Sequence, residues 1–346
     1  MKALYYMGPK NLKMDDIDIP KNSSKQYLIK VVSCGICGSD FEGYLGKTGR
    51  RTPPMIMGHE FSGTIESLPT EINPKYSIGQ KVIVFPKPFC GECELCKKGL
   101  VNVCPEGICM GVLDQDGAMC EYVSIEEKYI IPFSSDMSFN TAAMTEPLAV
   151  AYRSVNKISD KDIQQSDYFI VIGSGTIGLL AVALLKYRGA KNIIVSDTMN
   201  YRLSIAKKMG ATNTINPLEG DSVEQVRAIT NSKMCDFSIE AVGIKQTANT
   251  SLDCLKIGGT AIWIGNAQKI IEIDMQRIVT TELTIKGNYV YNFEDFEKCV
   301  HLLENNEIDV SPVITDTYKF KDSIQAFKDL ENNREGKKIK IILEMD

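Results

Sequence analysis

The sequence predicts an α/β protein of about two domains, one of them built on a doubly wound parallel sheet. Three observations predict it. The chain has 346 residues, and at roughly 150 residues per domain that length makes about two. An uncharged run from Tyr168 to Leu185 divides into an aromatic and β-branched strand, a glycine-punctuated turn and an apolar helix. Strand and helix patterns then alternate as far as Ile264, as a parallel sheet requires.

Composition narrows the function classes. Hydrophobic residues at 44% and charged residues at 24% are those of a folded globular chain, which excludes a disordered one. A net charge of −5 leaves no electrostatic footprint for nucleic acid or an anionic membrane. Eleven cysteines accompany only two histidines, His59 and His301. The odd cysteine number, and a start (Met1-Lys2-Ala3-Leu4) without a charged-then-apolar leader, argue against a secreted disulfide scaffold. A cytoplasmic protein is expected.

In chain order, a strand is expected over Tyr27 to Val32, followed by Gly35-Ile-Cys37-Gly-Ser39-Asp40. Met57-Gly58-His59-Glu60 follows, and much later Thr145-Glu146-Pro147-Leu148. A thiolate, an imidazole and one or two carboxylates make a mixed shell that leaves one position for water or substrate, as catalytic zinc needs. Each residue also has an ordinary reading. Cys37 suits a small buried hydrophobe, His59 a satisfied core histidine, and Glu146 a helix N-terminus beside Pro147.

Four cysteines fall in one segment, Cys90, Cys93, Cys96 and Cys104, in a lobe over about 86–106. The C-x2-C-x2-C-x7-C spacing brings four thiolates to one centre, the arrangement of a closed structural zinc site. Gly91 and Gly99 supply tight turns, and Pro86, Pro88 and Pro105 bracket the loop. Disulfides, free thiols and an iron–sulfur cluster are the competing uses of these residues.

The run Tyr168–Leu185 is long enough to raise the question of a membrane span. Three glycines, Ser174 and Thr176 break it, whereas a strand–turn–helix needs them. In Gly173-Ser-Gly175-Thr176-Ile177-Gly178 the first glycine allows the turn, the second lets backbone N–H groups approach a pyrophosphate, and the third lets helix pack on sheet. The strand Asn192–Ser196 ends in Asp197, an acid placed to accept ribose hydroxyls and to repel a 2′-phosphate. No arginine occurs in Thr198–Tyr201, so NAD is expected over NADP. Further strands are expected at Cys235–Glu240 and Thr260–Ile264, and helices near Asp221–Thr230 and Lys245–Leu255. An amphipathic helix over Phe293–Asn305 carries His301 in a structural setting, and the charged turn Glu331–Lys340 leads to a last strand, Ile339–Leu343. Cys34, Cys109, Cys120, Cys235, Cys254 and Cys299 read as buried small hydrophobes.

On these motifs the chain resembles the zinc-dependent medium-chain dehydrogenases, and within them the polyol dehydrogenase group. Gly58-His-Glu-Phe-Ser-Gly63, Asp116-Gly-Ala-Met-Cys-Glu-Tyr122, Glu146-Pro-Leu-Ala-Val150 and Lys286-Gly287 extend the resemblance over the whole length. It implies a GroES-like catalytic domain over 1–150, a Rossmann domain over 151–287, and a return to the catalytic domain over 288–346. It implies two zinc ions per chain. Cys37 and His59, with Glu60 and Glu146, are the ligands at the catalytic one, where either carboxylate binds directly or through water. Gly173, Gly175, Thr176, Ile177, Gly178 and Asp197 hold NAD, with Arg202 beside the ribose. Ser39 takes the place of the hydroxyl that passes the substrate proton outward.

The implied reaction is hydride transfer from a secondary alcohol of a polyol or polyol phosphate to NAD, with no nucleic-acid or membrane partner. A homodimer or homotetramer is expected. Two departures bear on the substrate. Glu42 stands where many relatives have a relay histidine, and Val290, in Asn288-Tyr-Val290-Tyr291, stands where sorbitol dehydrogenases carry an arginine. Galactitol-1-phosphate dehydrogenases tend to lack both, which makes a phosphorylated polyol a candidate and Arg50, Arg51 and Arg153 candidates to meet its phosphate. A small diol or L-threonine is the alternative substrate, and a non-catalytic NAD-binding or structural relative the alternative class.

Overall fold

Six parallel strands surround the glycine-rich turn, in the spatial order Asn213–Ile215, Asn192–Ser196, Tyr168–Ile172, Cys235–Glu240, Leu255–Trp263, Thr284–Gly287. The structure, a computed structural model, describes residues 1–21 and 25–345. The order reverses direction between Tyr168–Ile172 and Cys235–Glu240, and that switch point opens a crevice at the carboxyl ends of the strands. Phe169, Ile170, Val171, Ile193, Ile194 and Val195 are buried, as strands covered on both faces must be. The helix Thr176–Tyr187 buries Leu179, Leu180, Val182, Leu184 and Leu185 and packs against the helix Thr145–Val155.

The expected strands at Tyr168–Ile172, Asn192–Ser196 and Cys235–Glu240 form as read. The helices Ser222–Ile229, Lys245–Asp253 and Phe293–Glu304 lie within a residue or two of expectation. The strand expected at Thr260–Ile264 instead spans Leu255–Trp263. Its first half is masked in sequence by Gly258-Gly259, which reads as a turn and which the ladder accommodates with a register shift between Cys235 and Phe237.

The rest of the chain builds a mostly antiparallel seven-stranded sheet and a three-stranded one. Its longest strand, Gln26–Ile36, pairs with Glu60–Ser67, with Tyr122–Glu126 and with the last strand, Lys340–Glu344. Ile341 lies opposite Ile36 and Ile342 opposite Gly35. The end of the chain is thereby woven in beside the segment that carries Cys37. Among the described residues, no helix is long and apolar enough to cross a membrane.

Candidate active site and metal centres

Strand Gln26–Ile36 runs directly into Cys37, which caps the helix Gly38–Tyr44 by accepting the backbone N–H of Ser39 at its sulfur. The neighbouring strand begins at Glu60, opposite Gly35. A Cβ on Gly35 would lie 2.2 Å from Glu60 Oε2, so only glycine leaves room for that carboxylate. Cys37, His59 and Glu60 bring their ligand atoms within 4.8 Å of one another, a donor set of the kind that holds zinc. His59 Nδ1 is buried without a hydrogen-bond partner and lies 3.8 Å from Asp40 Oδ1, too long for a bond.

The two carboxylates have different surroundings. Glu60 receives Lys340 Nζ at 2.7 Å on Oε1 and 2.5 Å on Oε2, and Lys340 also donates to the carbonyl of Ile36. Glu146 stands outside the trio, and its Oε1 accepts the hydroxyl of Tyr291 at 2.8 Å. Burial pushes the Glu146 carboxyl up to about 8; His59 opposes the shift, while Glu60 and Cys37 add to it. Burial, with Glu60 next, raises the Cys37 thiol to about 11. Bringing a cation into this cluster offsets these repulsions.

The four lobe cysteines also lie within 4.8 Å of one another. Cys90 Sγ is 3.8 Å from Cys96 Sγ and 3.6 Å from Cys104 Sγ. A tetrahedron with bonds of about 2.3 Å has edges of about 3.8 Å, so the spacing suits zinc. Cys90 accepts the N–H of Cys93, and Cys93, capping the helix Glu94–Lys97, accepts that of Cys96. The apolar cluster of the lobe is small: Cys96, Val101 and Cys104 are buried, with Phe89, Cys90 and Cys93 packed half-buried against them.

Around the crevice, Gly178 is fixed by packing, since a Cβ there would stand 1.8 Å from the carbonyl oxygen of Gly173. Gly175 faces open space, the room a ligand's approach to the backbone requires. Asp197 accepts the N–H of Ser174 at 2.7 Å and of Met199 at 2.9 Å, which aims its carboxylate along the glycine-rich loop. Thr176 Oγ1 donates to the carbonyl of Ile339, and Arg202 Nε to that of Gly336. Within the segment 336–340, Gly336 therefore meets Arg202, Ile339 meets the glycine-rich turn at Thr176, and the adjacent Lys340 meets Glu60.

Residues 23–135 match the alcohol dehydrogenase GroES-like domain, and residues 176–305 the zinc-binding dehydrogenase family. A sorbitol dehydrogenase of Bacillus subtilis (strain 168) is 31% identical over 95% of this chain and 93% of its own length. The chain belongs to the zinc-dependent medium-chain dehydrogenases. It groups there with the polyol dehydrogenases: a D-arabitol-phosphate dehydrogenase of Enterococcus avium is 32% identical over 95% of this chain and 92% of that protein. Among solved structures, a short chain alcohol dehydrogenase from Escherichia coli CFT073 complexed with NADH superposes with a TM-score of 0.90, at 27% identity over 99% of each chain.

In this dehydrogenase the residues singled out in sequence divide by environment. Cys37, His59 and Glu60 converge, Glu146 lies beyond them on Tyr291, and Ser39 is exposed next to Cys37. Glu42 pairs at 3.4 Å with Lys47 on the surface. His301 is exposed beside Glu304. Cys34, Cys120, Cys235, Cys254 and Cys299 are buried, but Cys109 is only half-buried and is raised by burial and then by Glu146, near the site. Sequence reasoning missed Lys340, Tyr291 and the role of Arg51. A lysine inside an apolar terminal strand was the available signal for the first. Nothing in sequence announced the other two.

Proposed function

We propose that this dehydrogenase oxidises a secondary hydroxyl of a polyol or polyol phosphate with NAD as acceptor. The observation that carries the reading is the convergence of Cys37, His59 and Glu60 on one centre, beside a C-terminal segment that also touches the glycine-rich loop. In this reading 1–150 and 288–346 form the catalytic unit and 151–287 the nucleotide-binding one. Cys37, His59, Glu60 and Glu146 hold a catalytic zinc, and Cys90, Cys93, Cys96 and Cys104 a structural one. When bound, the catalytic zinc supplies Lewis acidity that lowers the pKa of an alcohol, and NAD supplies the hydride acceptor.

The chain's own residues do the rest. Gly173, Gly175, Thr176, Ile177 and Gly178 cradle the pyrophosphate, and Asp197 takes the ribose hydroxyls and disfavours a 2′-phosphate. Arg202, held by Gly336, lines the same side. Ser39 accepts the substrate hydroxyl proton as it releases its own outward, so the serine stays neutral. Lys340 holds Glu60, and Tyr291 holds Glu146. Arg51 and Arg153 are spent on Asp40 and Asp295, whereas Arg50 has only the hydroxyl of Tyr289 as side-chain partner among the described residues. That leaves Arg50 to meet a substrate phosphate.

The chain acts in the cytoplasm as a homodimer or homotetramer. What supports the assembly is the edge strand Thr284–Gly287 and the helix before it, which exposes Met275 and Val279. Metal analysis tests the enzyme reading: two zincs per chain, with chelation abolishing NAD reduction, are expected. One unremovable zinc and no turnover would refute it in favour of a non-catalytic relative. A kinetic panel of free and 1-phosphorylated hexitols, xylitol, butanediol and threonine tests the substrate. Phosphorylated hexitols should give the highest kcat/KM, and preference for butanediol or threonine would replace the polyol assignment.

A further inference from the structure

Arg51 and Asp40 form an ion pair whose side chains are 3% and 0% exposed. Arg51 Nη2 donates to Asp40 Oδ1 at 2.8 Å and to Ser39 Oγ at 3.2 Å, and Nη1 donates to the carbonyl of Arg50 at 3.2 Å. The stem reaches this position across Gly43, where a Cβ would stand 2.5 Å from Arg51 Cγ. Asp40, in turn, accepts the N–H of Cys37 at 3.3 Å. A buried cation is thus fixed by three acceptors, and one of them is the hydroxyl assigned to the substrate proton.

We propose that Arg51 is a positioning residue for Ser39. Its guanidinium occupies one lone pair of Ser39 Oγ, which leaves the other to accept the substrate proton while the serine's own O–H releases a proton outward. Arginine stays charged and offers no acceptor, so it sets geometry and adds fixed positive charge without taking up a proton. It stands in contact with Ser39, whereas Glu42 is paired with Lys47 at the surface. This chain therefore orients its reactive hydroxyl with a guanidinium donor. The inference rests on the role proposed above for Ser39.

A double-mutant cycle on the zinc-loaded enzyme tests it, with R51K, R51Q, S39A and R51Q/S39A compared on the best polyol substrate. Losing a charge-assisted hydrogen bond in the reacting geometry should lower kcat of R51Q about tenfold and move KM by less than about threefold. R51K, which keeps the cation opposite Asp40, should recover part of the loss. In the S39A background the R51Q effect should shrink to about twofold or less, because its mediator is gone. Zinc content and NAD affinity should match the wild type. An equal kcat loss in both backgrounds overturns the proposal, as does lost zinc or a loss confined to KM. Should R51Q not fold, the same cycle run with R51K decides by the same criterion. If S39A alone leaves kcat unchanged, it is the assignment of Ser39 in the functional reading that fails, which the cycle separates from failure of Arg51.

Discussion

Lys340, on the last strand, grips both carboxylate oxygens of Glu60, on the strand that follows His59, and the two side chains are 1% and 2% exposed. The pair joins residues 280 positions apart. Breaking a buried pair from one side leaves an uncompensated charge. K340M should therefore cost about 3–5 kcal/mol of unfolding free energy. Urea denaturation of K340M, and of K340M/E60Q, measures it; the double variant should regain part of the loss.

The glycines of the nucleotide turn should separate stability from binding. G178A places a Cβ against the Gly173 carbonyl, an overpacking that costs about 1–3 kcal/mol. G175A meets no atom beyond its own chain neighbours within 4 Å and should leave thermal stability near wild type. Its NAD affinity should nevertheless fall about tenfold or more, since each tenfold is about 1.4 kcal/mol of lost backbone approach. Scanning calorimetry checks the two stabilities, and calorimetric titration with NAD the affinity.

On the proposed reading, Asp197 sets the choice of dinucleotide. D197A removes the carboxylate that disfavours a 2′-phosphate, so kcat/KM for NAD should fall by about one to two orders of magnitude while that for NADP rises. It also frees the N–H groups of Ser174 and Met199, so some loss of stability should accompany it. Unchanged NAD affinity would refute the ribose assignment.

The cysteine lobe should be metal-dependent and locally so. With Cys96, Val101 and Cys104 buried and little beyond half-buried Phe89 packed on them, the lobe should depend on its metal for order. C104A should reduce zinc from two equivalents to one, and hydrogen exchange should rise across 90–104 with NAD binding retained.

The metal-free protein should lose stability with rising pH. Burial first, then Glu60 and Cys37, hold the Glu146 carboxyl up at about 8 from its usual 4.5, against the opposing charge of His59. An acid raised in the folded state binds more protons there than when unfolded. Stability then falls as pH rises from about 4.5 to about 8, and below that window both states are protonated. Chelated E146Q should show a shallower slope in urea midpoints than chelated wild type.

Much of this molecule was legible in its amino-acid order, because the signals were local. Tyr168–Ile172 with its three glycines, and Asn192–Ser196 ending in Asp197, specify a strand–turn–helix and an acid through backbone rules that need no partner. Cys90, Cys93, Cys96 and Cys104 come within 4.8 Å of one another because one short loop carries all four. The trio Cys37, His59 and Glu60 was named in sequence as separate motifs, and strand pairing between Gly35 and Glu60 brought them together.

What the order of residues left open was whatever depends on distant pairing. Leu255–Trp263 hid behind Gly258-Gly259, since the ladder and not local propensity makes that strand. Glu60 and Glu146 were equivalent on paper and differ in space, because one faces Lys340 and the other Tyr291. Arg51 was an arginine like its neighbour Arg50 until burial placed it against Asp40 and Ser39. Charge buried at a site must find its counterpart there, and which residue supplies that counterpart is a property of the folded chain, not of its local sequence.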